Sequence, residues 1–118
     1  MDELKPSIST GVFGELSPEE KIRRLAKIGW RYLEINFSAG RFGKCEPYKI
    51  KKLCEDLGVS VLQIHGTNPG LARESGEERK RFMDQAKTSL LWAGELGAKW
   101  VVLHPSNRKA ASRTLDAF

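Results

Sequence analysis

The sequence has few of the features that mark membrane, secreted or nucleotide-binding proteins. Its 118 residues include only two cysteines, Cys45 and Cys54, which form neither a C-x-x-C pair nor a disulfide framework. No apolar stretch approaches the roughly 18 residues of a membrane span, and no signal-peptide core stands near the N-terminus. G-x-G-x-x-G, P-loop and nucleophile-elbow patterns are also absent. We therefore expect reduced thiols, a cytoplasmic location, no membrane partner, and neither nucleotide-cofactor chemistry nor serine hydrolysis.

Charge and apolar content are typical of an ordinary globular protein rather than a nucleic-acid binder. The formal net charge is +5, from 20 Lys and Arg against 15 Asp and Glu, and these residues are scattered along the chain. A dedicated DNA-binding protein concentrates its basic residues on one face, so a nucleic acid is not the expected partner. With 40% apolar residues and no linker or low-complexity segment, the sequence predicts a single domain spanning residues 1–118.

Strand and helix signals alternate along the chain. Four apolar and β-branched runs predict strands at 7–13, 32–37, 59–65 and 100–104. Ser17 and Ser75 each begin a capping box, Pro47 opens another helix, and glycines at 29, 58 and 97 end the three helices. Residues 109–118 indicate the beginning of a fourth helix. The third helix is expected to bury one stripe of side chains, namely Phe82, Ala86, Leu90 and Ala93.

Polar residues fall on one face of the predicted sheet. Because side chains alternate along a strand, Glu34 and Asn36 share a face of the second strand, and His104 takes the same face of the fourth. The polar side of the third strand is expected to hold Val61, Gln63 and His65. The opposite face is apolar and suits packing under helices; it comprises Leu33, Ile35, Leu62, Ile64, Val101 and Leu103.

Two histidines, His65 and His104, stand at strand ends, and the carboxyl edge of a parallel sheet is where α/β proteins place their chemistry. The long polar connections 38–46 and 66–74 leave the same edge. A neutral imidazole there can ligate a metal, bind a hydroxyl or move a proton. A lone strand-end histidine is more often structural, and Glu34 could be an ordinary paired carboxylate. The convergence of four polar residues favours a pocket; they are Glu34, Gln63, His65 and His104. The sequence separations of the two histidines and the glutamate fit no local metal motif.

The cysteines and two tryptophans have simpler interpretations. Cys54 lies on an apolar helical stripe and is expected in the core, whereas Cys45 is a loop thiol that could join a metal site. Trp30 and Trp100 each follow a helix-ending glycine and are expected to plug the bottom of the sheet.

Three segments carry a family resemblance: "SISTGVFGELSPEEKIRRLAKIGWRYLEINF", "VSVLQIHG" and "GAKWVVLHPS". Together they resemble the amino-terminal half of the xylose-isomerase-like TIM barrels, a superfamily of sugar and sugar-phosphate isomerases, epimerases and abasic-site endonucleases. The resemblance implies an α/β fold, a parallel (β/α) half-barrel that corresponds to the first four strands of an eight-stranded barrel. It also implies a divalent metal, Mn, Zn, Mg or Co, at the carboxyl ends of the strands.

The same resemblance implies isomerase or epimerase chemistry, in which a metal assists proton or hydride transfer beside a sugar carbonyl. It makes His65 and His104 the expected metal ligands, and a sugar or sugar phosphate the expected ligand of Glu34, Asn36, Gln63 and His65. In such barrels most catalytic carboxylates come from strands five to eight, so the metal site here is expected to be incomplete and the isolated chain inactive. No catalytic residue is assigned.

Two alternatives stay open. The first is an abasic-site endonuclease-like fragment, in which histidines matching His65 and His104 are metal ligands and a glutamate of strand five completes the site. The second is a non-catalytic half-barrel that assembles with itself or with a complementary half.

Overall fold

Strands and helices alternate strictly in the computed structural model, which describes residues 3–37, 42–66 and 76–104. The four strands are all parallel and lie in one sheet in the order β1-β2-β3-β4. The elements are β1 (Ile8–Ser9), α1 (Pro18–Ile28), β2 (Tyr32–Asn36), α2 (Pro47–Leu57), β3 (Ser60–His65), α3 (Gly76–Leu96) and β4 (Trp100–Val102), with 3-10 turns at Thr10–Val12 and Phe42–Lys44.

Local signals in the sequence set most helix boundaries. The Ser17 hydroxyl accepts a hydrogen bond from the Glu20 amide at 3.2 Å, and Pro18 occupies the first turn of α1, as predicted. The Glu20 carboxylate, instead of completing a capping box, accepts a hydrogen bond from Arg24. Glycines 29, 58 and 97 end the helices at φ of 118°, 65° and 70°, a left-handed conformation that side chains disfavour. The capping serine predicted at Ser75 lies outside the described residues.

The first strand is shorter than predicted. Only Ile8–Ser9 pairs with β2, and the chain then enters a 3-10 turn where residues 10–13 were expected to extend the strand. The Ser9 hydroxyl accepts a hydrogen bond from the Gly11 amide at 3.1 Å, which favours the turn over a sheet ladder. The Thr10 hydroxyl accepts a hydrogen bond from the backbone amide of Asn36 at 3.0 Å. A side chain of the turn therefore bonds to β2 where a strand backbone would have done so.

A bulge in β3 places Val61 on the opposite face of the sheet from the predicted one. Leu33 pairs with Val61, but the next residue of β2, Glu34, pairs with Gln63, so Leu62 is the extra residue. Val61 therefore lies on the helix side and is buried, rather than on the polar side as predicted. Leu62 is only half-buried. The alternation restarts after the bulge, which leaves Gln63 on the polar side opposite Glu34.

The core lies between the sheet and its helices. Trp92 of α3 packs edge-on against Phe37 at a centroid distance of 5.1 Å and against Phe42 at 6.2 Å. Cys54 is buried among these apolar side chains, as predicted. Among the described residues, the fully buried aliphatic side chains are those of Ile22, Leu25, Leu33, Ile35, Ile50 and Ile64.

The buried stripe of α3 is rotated from the predicted one. Ala86 and Ala93 are buried as expected, but Leu90 is 53% exposed. The stripe instead includes Ser89 and Trp92. The small Ser89 lets the helix approach the loop after β3 closely, because a Cβ atom added at Gly66 would stand 3.1 Å from the Ser89 hydroxyl.

The two tryptophans expected at the bottom of the sheet differ. Trp30 is half-buried against the core, whereas Trp100, the first residue of β4, is 66% exposed. Trp100 pairs with Gln63, so it stands on the side of the sheet away from the helices and does not act as a plug. Within the three described ranges, no helix is both long enough and apolar enough to cross a membrane.

Candidate functional site

The candidate site lies at the carboxyl edge of β2, β3 and β4, on the face of the sheet away from the helices. Glu34 of β2 pairs with Gln63 of β3, and Asn36 pairs with His65. Sheet pairing therefore places Glu34 beside Gln63 and Asn36 beside His65 on the same face of the sheet. The chain reaches this edge again at His104, two residues after β4.

Glu34 contacts both of its neighbours on β3, Gln63 and His65. The Gln63 side-chain amide donates a short hydrogen bond to Oε2 of Glu34. The other carboxylate oxygen, Oε1, lies 3.6 Å from Nδ1 of His65, within ion-pair distance although longer than a hydrogen bond. The side chains of Glu34 and His65 are 17% and 28% exposed, so protein rather than bulk water surrounds most of this contact.

His65 and His104 meet directly. Their Nε2 atoms are 2.8 Å apart, and the two ring centroids are 5.0 Å apart. The expected proximity of the two histidines is therefore confirmed. At this distance one ring donates an N–H and the other accepts it, because two donors or two lone pairs would repel each other.

Asn36 is supported by residues that the sequence analysis did not single out. Its backbone amide is bonded to the hydroxyl of Thr10, which is fully buried. A Cβ atom at Gly11 would stand 3.0 Å from Nδ2 of Asn36, so the glycine makes room for this side chain. The "STG" sequence at residues 9–11, where the first strand ends, was the available signal.

The histidine pair fits part of a metal site. Two imidazole nitrogens close together are ligands that divalent transition metals accept. Bonds of about 2.0–2.1 Å at a tetrahedral angle would put these nitrogens about 3.3 Å apart, so the rings would need to separate by roughly half an ångström. Among the described residues, no group of three or more His, Cys, Asp or Glu is arranged to hold a metal ion. Further ligands would have to come from elsewhere.

Cys45 does not join this pair in the arrangement seen here. Its Sγ lies 4.0 Å from a carboxylate oxygen of Glu19 in α1. Burial, and then the Glu19 charge, raise the pKa of the Cys45 thiol, which disfavours the thiolate form that metals bind. Of the long loops expected at this edge, residues 38–41 and 67–75 lie outside the described ranges.

A parallel sheet whose order follows the sequence, with helices on one face and polar residues at its carboxyl edge, is the arrangement of a β/α barrel segment. The family model described as xylose isomerase-like TIM barrel matches residues 22–118. The chain belongs to this family. The predicted fold class is confirmed: the chain is an α/β protein with four parallel strands that correspond to part of a TIM barrel. No curated protein sequence matches the chain.

Solved structures support the same fold. A xylose isomerase domain containing protein from Salmonella typhimurium LT2 superposes with a TM-score of 0.67 at 21% identity, over 99% of this chain and 44% of that protein. An L-ribulose 3-epimerase superposes with a TM-score of 0.66 at 17% identity, over 94% of this chain and 42% of that protein. An AP endonuclease, family 2, from Brucella melitensis superposes with a TM-score of 0.64 at 18% identity, over 94% of this chain and 46% of that protein. The chain thus spans less than half the length of each of these proteins.

Proposed function

We propose that this chain supplies one side of a sugar or sugar-phosphate isomerase or epimerase site. The observation that supports it is the contact between His65 and His104 at the carboxyl edge of the sheet, 2.8 Å between Nε2 atoms. The epimerases and isomerases among the proteins of similar fold support the reaction class. The single domain spanning 1–118 stays a prediction.

In this proposal the two histidines would hold a divalent metal, Mn, Zn, Mg or Co, through their Nε2 atoms. Such an ion supplies a Lewis acid that polarises a sugar carbonyl oxygen and so favours proton or hydride transfer at the neighbouring carbon. The described residues provide two of its ligands.

The sugar would lie over the polar face beside the histidines. Asn36 and Gln63 carry amides that can both donate to and accept from hydroxyl groups, the main polar groups of a sugar. Glu34 and His65 complete this polar face. Small-molecule sites commonly combine a few such polar groups with an apolar wall. Val102, which pairs with His65, and Trp100 provide apolar surface on the same side.

Metal titration tests the proposal. Isothermal titration of the chain with Zn²⁺ and Mn²⁺ should give weak binding that either His65→Ala or His104→Ala abolishes, because each variant removes half of the ligand pair. Gln85→Ala, an exposed change on α3, is the matched control and should bind like the parent chain. Tight binding that survives loss of both histidines would overturn the proposed ligands.

The abasic-site endonuclease alternative has support from the same contact. In that branch, by the resemblance of the sequence, both histidines are metal ligands, and the metals activate water against a phosphodiester. The AP endonuclease, family 2, from Brucella melitensis has the same fold over this region. Binding of DNA that contains an abasic site, stronger than binding of matched intact DNA and lost in His104→Ala, would favour this function over the sugar enzyme.

Cellular location and assembly complete the proposal. Neither cysteine forms a disulfide, which fits the reducing cytoplasm.

A second copy or a complementary half-barrel is the proposed macromolecular partner, because one face of the sheet presents Trp100 to solvent.

A further inference from the structure

Four side chains at the site form one continuous row. Gln63 donates to Oε2 of Glu34, Oε1 of Glu34 faces Nδ1 of His65, and Nε2 of His65 meets Nε2 of His104. The row joins β2, β3 and the residue that lies two positions after β4 through side chains alone. The two contacts of His65 constrain which of its ring nitrogens has the proton.

The position of the Glu34 carboxylate favours a proton on one particular nitrogen of His65. Neutral imidazole has one N–H and one lone pair, and the two tautomers differ in which nitrogen has the proton. An anionic oxygen 3.6 Å from Nδ1 attracts an N–H there and repels a lone pair. Protein shields most of both side chains from water. The attraction is stronger there, because charges inside a protein interact through a lower dielectric than they do in water.

We propose that Glu34, held by Gln63, is a positioning residue that fixes His65 as the Nδ1–H tautomer and so directs its Nε2 lone pair toward the metal position. The inference rests on the proposed function in taking His65 as a metal ligand. It assigns Glu34 an action on the histidine instead of direct contact with the sugar. Both oxygens of Glu34 already face groups of the protein, which favours this role. Carboxylates that orient metal-bound histidines in this way are widespread among metal sites.

The two histidines then have unequal roles. With the His65 Nε2 lone pair fixed, the 2.8 Å contact requires His104 to donate from its own Nε2. For His104 to bind a metal through Nε2, that proton must leave to water while another proton from water adds at Nδ1. The net charge of the ring does not change. His65 already has the tautomer that binds through Nε2, but its lone pair accepts the His104 N–H until His104 changes tautomer.

Nitrogen NMR of the metal-free chain tests the inference directly. Long-range proton–nitrogen correlation on ¹⁵N-labelled protein, in mildly alkaline buffer where imidazoles are ordinarily neutral, distinguishes protonated from unprotonated ring nitrogens. We expect His65 to be protonated at Nδ1 and His104 at Nε2. Glu34→Gln should convert His65 to a mixture of tautomers, since a neutral amide can either donate or accept. Gln63→Leu removes the hydrogen bond to Glu34 and should also increase the fraction of His65 that is protonated at Nε2.

The matched control is Glu55→Gln, which removes an exposed carboxylate from α2 and should leave both rings unchanged. Glu34→Asp keeps the charge and should retain more of the Nδ1–H tautomer than Glu34→Gln does. Proton spectra of each variant establish that the fold is intact. If His65 is protonated at Nε2 in the parent chain, or if Glu34→Gln leaves its tautomer unchanged, the inference is wrong.

Zinc titration separates this inference from the proposed function. Loss of an orienting carboxylate should lower affinity roughly 10–100-fold in Glu34→Gln, with no change in Glu55→Gln. If the tautomer depends on Glu34 but zinc does not bind at the histidines, the metal assignment fails and the positioning role stands. If zinc binds at the histidines with equal affinity in Glu34→Gln, the positioning role fails and the metal assignment stands.

Discussion

His65 and His104 are 39 residues apart in the sequence, yet their Nε2 atoms lie 2.8 Å apart. The β3-α3-β4 unit produces this contact, because β3 and β4 are parallel neighbours and each reaches the same edge of the sheet. The helix between them returns the chain to the start of the sheet, so two distant histidines end side by side. The geometry of one β/α unit therefore accounts for the central contact of the candidate site.

The isolated chain should show no measurable isomerase, epimerase or abasic-site nuclease turnover. Its described residues bring one carboxylate, Glu34, to the histidine pair, and Gln63 already bonds it. Proton transfer at carbon needs a base that is within reach of the substrate. Assays with ketose sugars and with abasic-site DNA, each with added Mn²⁺ or Zn²⁺, check this. Turnover that copurifies with the chain and disappears in Glu34→Gln would contradict it and make Glu34 the base.

The open face of the sheet should drive self-association. Trp100 is 66% exposed on the side away from the helices, and parallel sheets are normally covered on both faces. Covering a few hundred Å² of apolar surface contributes several kcal/mol at about 25 cal/mol per Å². We expect sedimentation at micromolar concentration to show dimers or larger species, and Trp100→Lys to shift them toward monomer. Leu91→Lys changes an apolar residue on α3 that is at least as exposed, and it should leave the association state unchanged. A stable monomer of the parent chain would refute the prediction.

Replacing Gly66 with alanine should destabilise the protein. The added Cβ would stand 2.5 Å from the Leu103 side chain and 3.0 Å from the Val102 carbonyl oxygen. Overpacking of this kind costs about 1–3 kcal/mol. Gly94→Ala is the matched comparison, since a Cβ there meets nothing within 4 Å and alanine favours a helix by about 0.5–1 kcal/mol. Urea unfolding should show opposite shifts in the two variants, and equal midpoints would contradict the packing argument.

Alkaline pH should destabilise the fold through Cys54. Burial, with a smaller contribution from Glu55, raises the pKa of this thiol from 9.0 to about 11. Between these values the unfolded chain loses the proton while the folded chain keeps it, so the free energy of unfolding falls as pH rises, by up to about 1.4 kcal/mol per pH unit. Below pH 9 this contribution to stability is fully present.

Unfolding measured from pH 8 to 11 checks the effect. The decline should be shallower in Cys54→Ala than in the parent chain, whereas Cys45→Ala, at a less buried thiol, should alter it less. Parallel declines in the parent chain and Cys54→Ala would mean that other groups determine the alkaline stability.

Residues with local signals were predictable from the sequence. The serine and proline at the start of α1 and the glycine after each helix act within a few residues, so their effects appear in the sequence itself. The histidine pair was predictable for a different reason, because alternating strands and helices leave few arrangements other than a parallel sheet.

Features in which two signals compete, or that depend on packing, were not predictable. The 3-10 turn after Ser9 reflects a local hydroxyl bond that competes with β-branched propensity in residues 7–13. In α3, Ser89 is buried close to Gly66 and Leu90 is exposed, whereas hydrophobic spacing alone would bury Leu90. The bond from Gln63 to Glu34 joins residues 29 apart, and no pattern in either strand specifies it.

The bulge at Leu62 divides β3 into two independent frames of alternation. Ser60 and Val61 follow one frame, and Gln63, Ile64 and His65 follow the other. Removing one residue at Leu62 would bring the strand back to plain alternation without turning Gln63 or His65 over, provided that these two keep their pairing with β2. Evolution can therefore alter the beginning of this strand, around Val61, while the polar residues of the second frame stay in place. The second frame itself meets two requirements in three residues, because Ile64 packs on the helix side while Gln63 and His65 lie on the polar side.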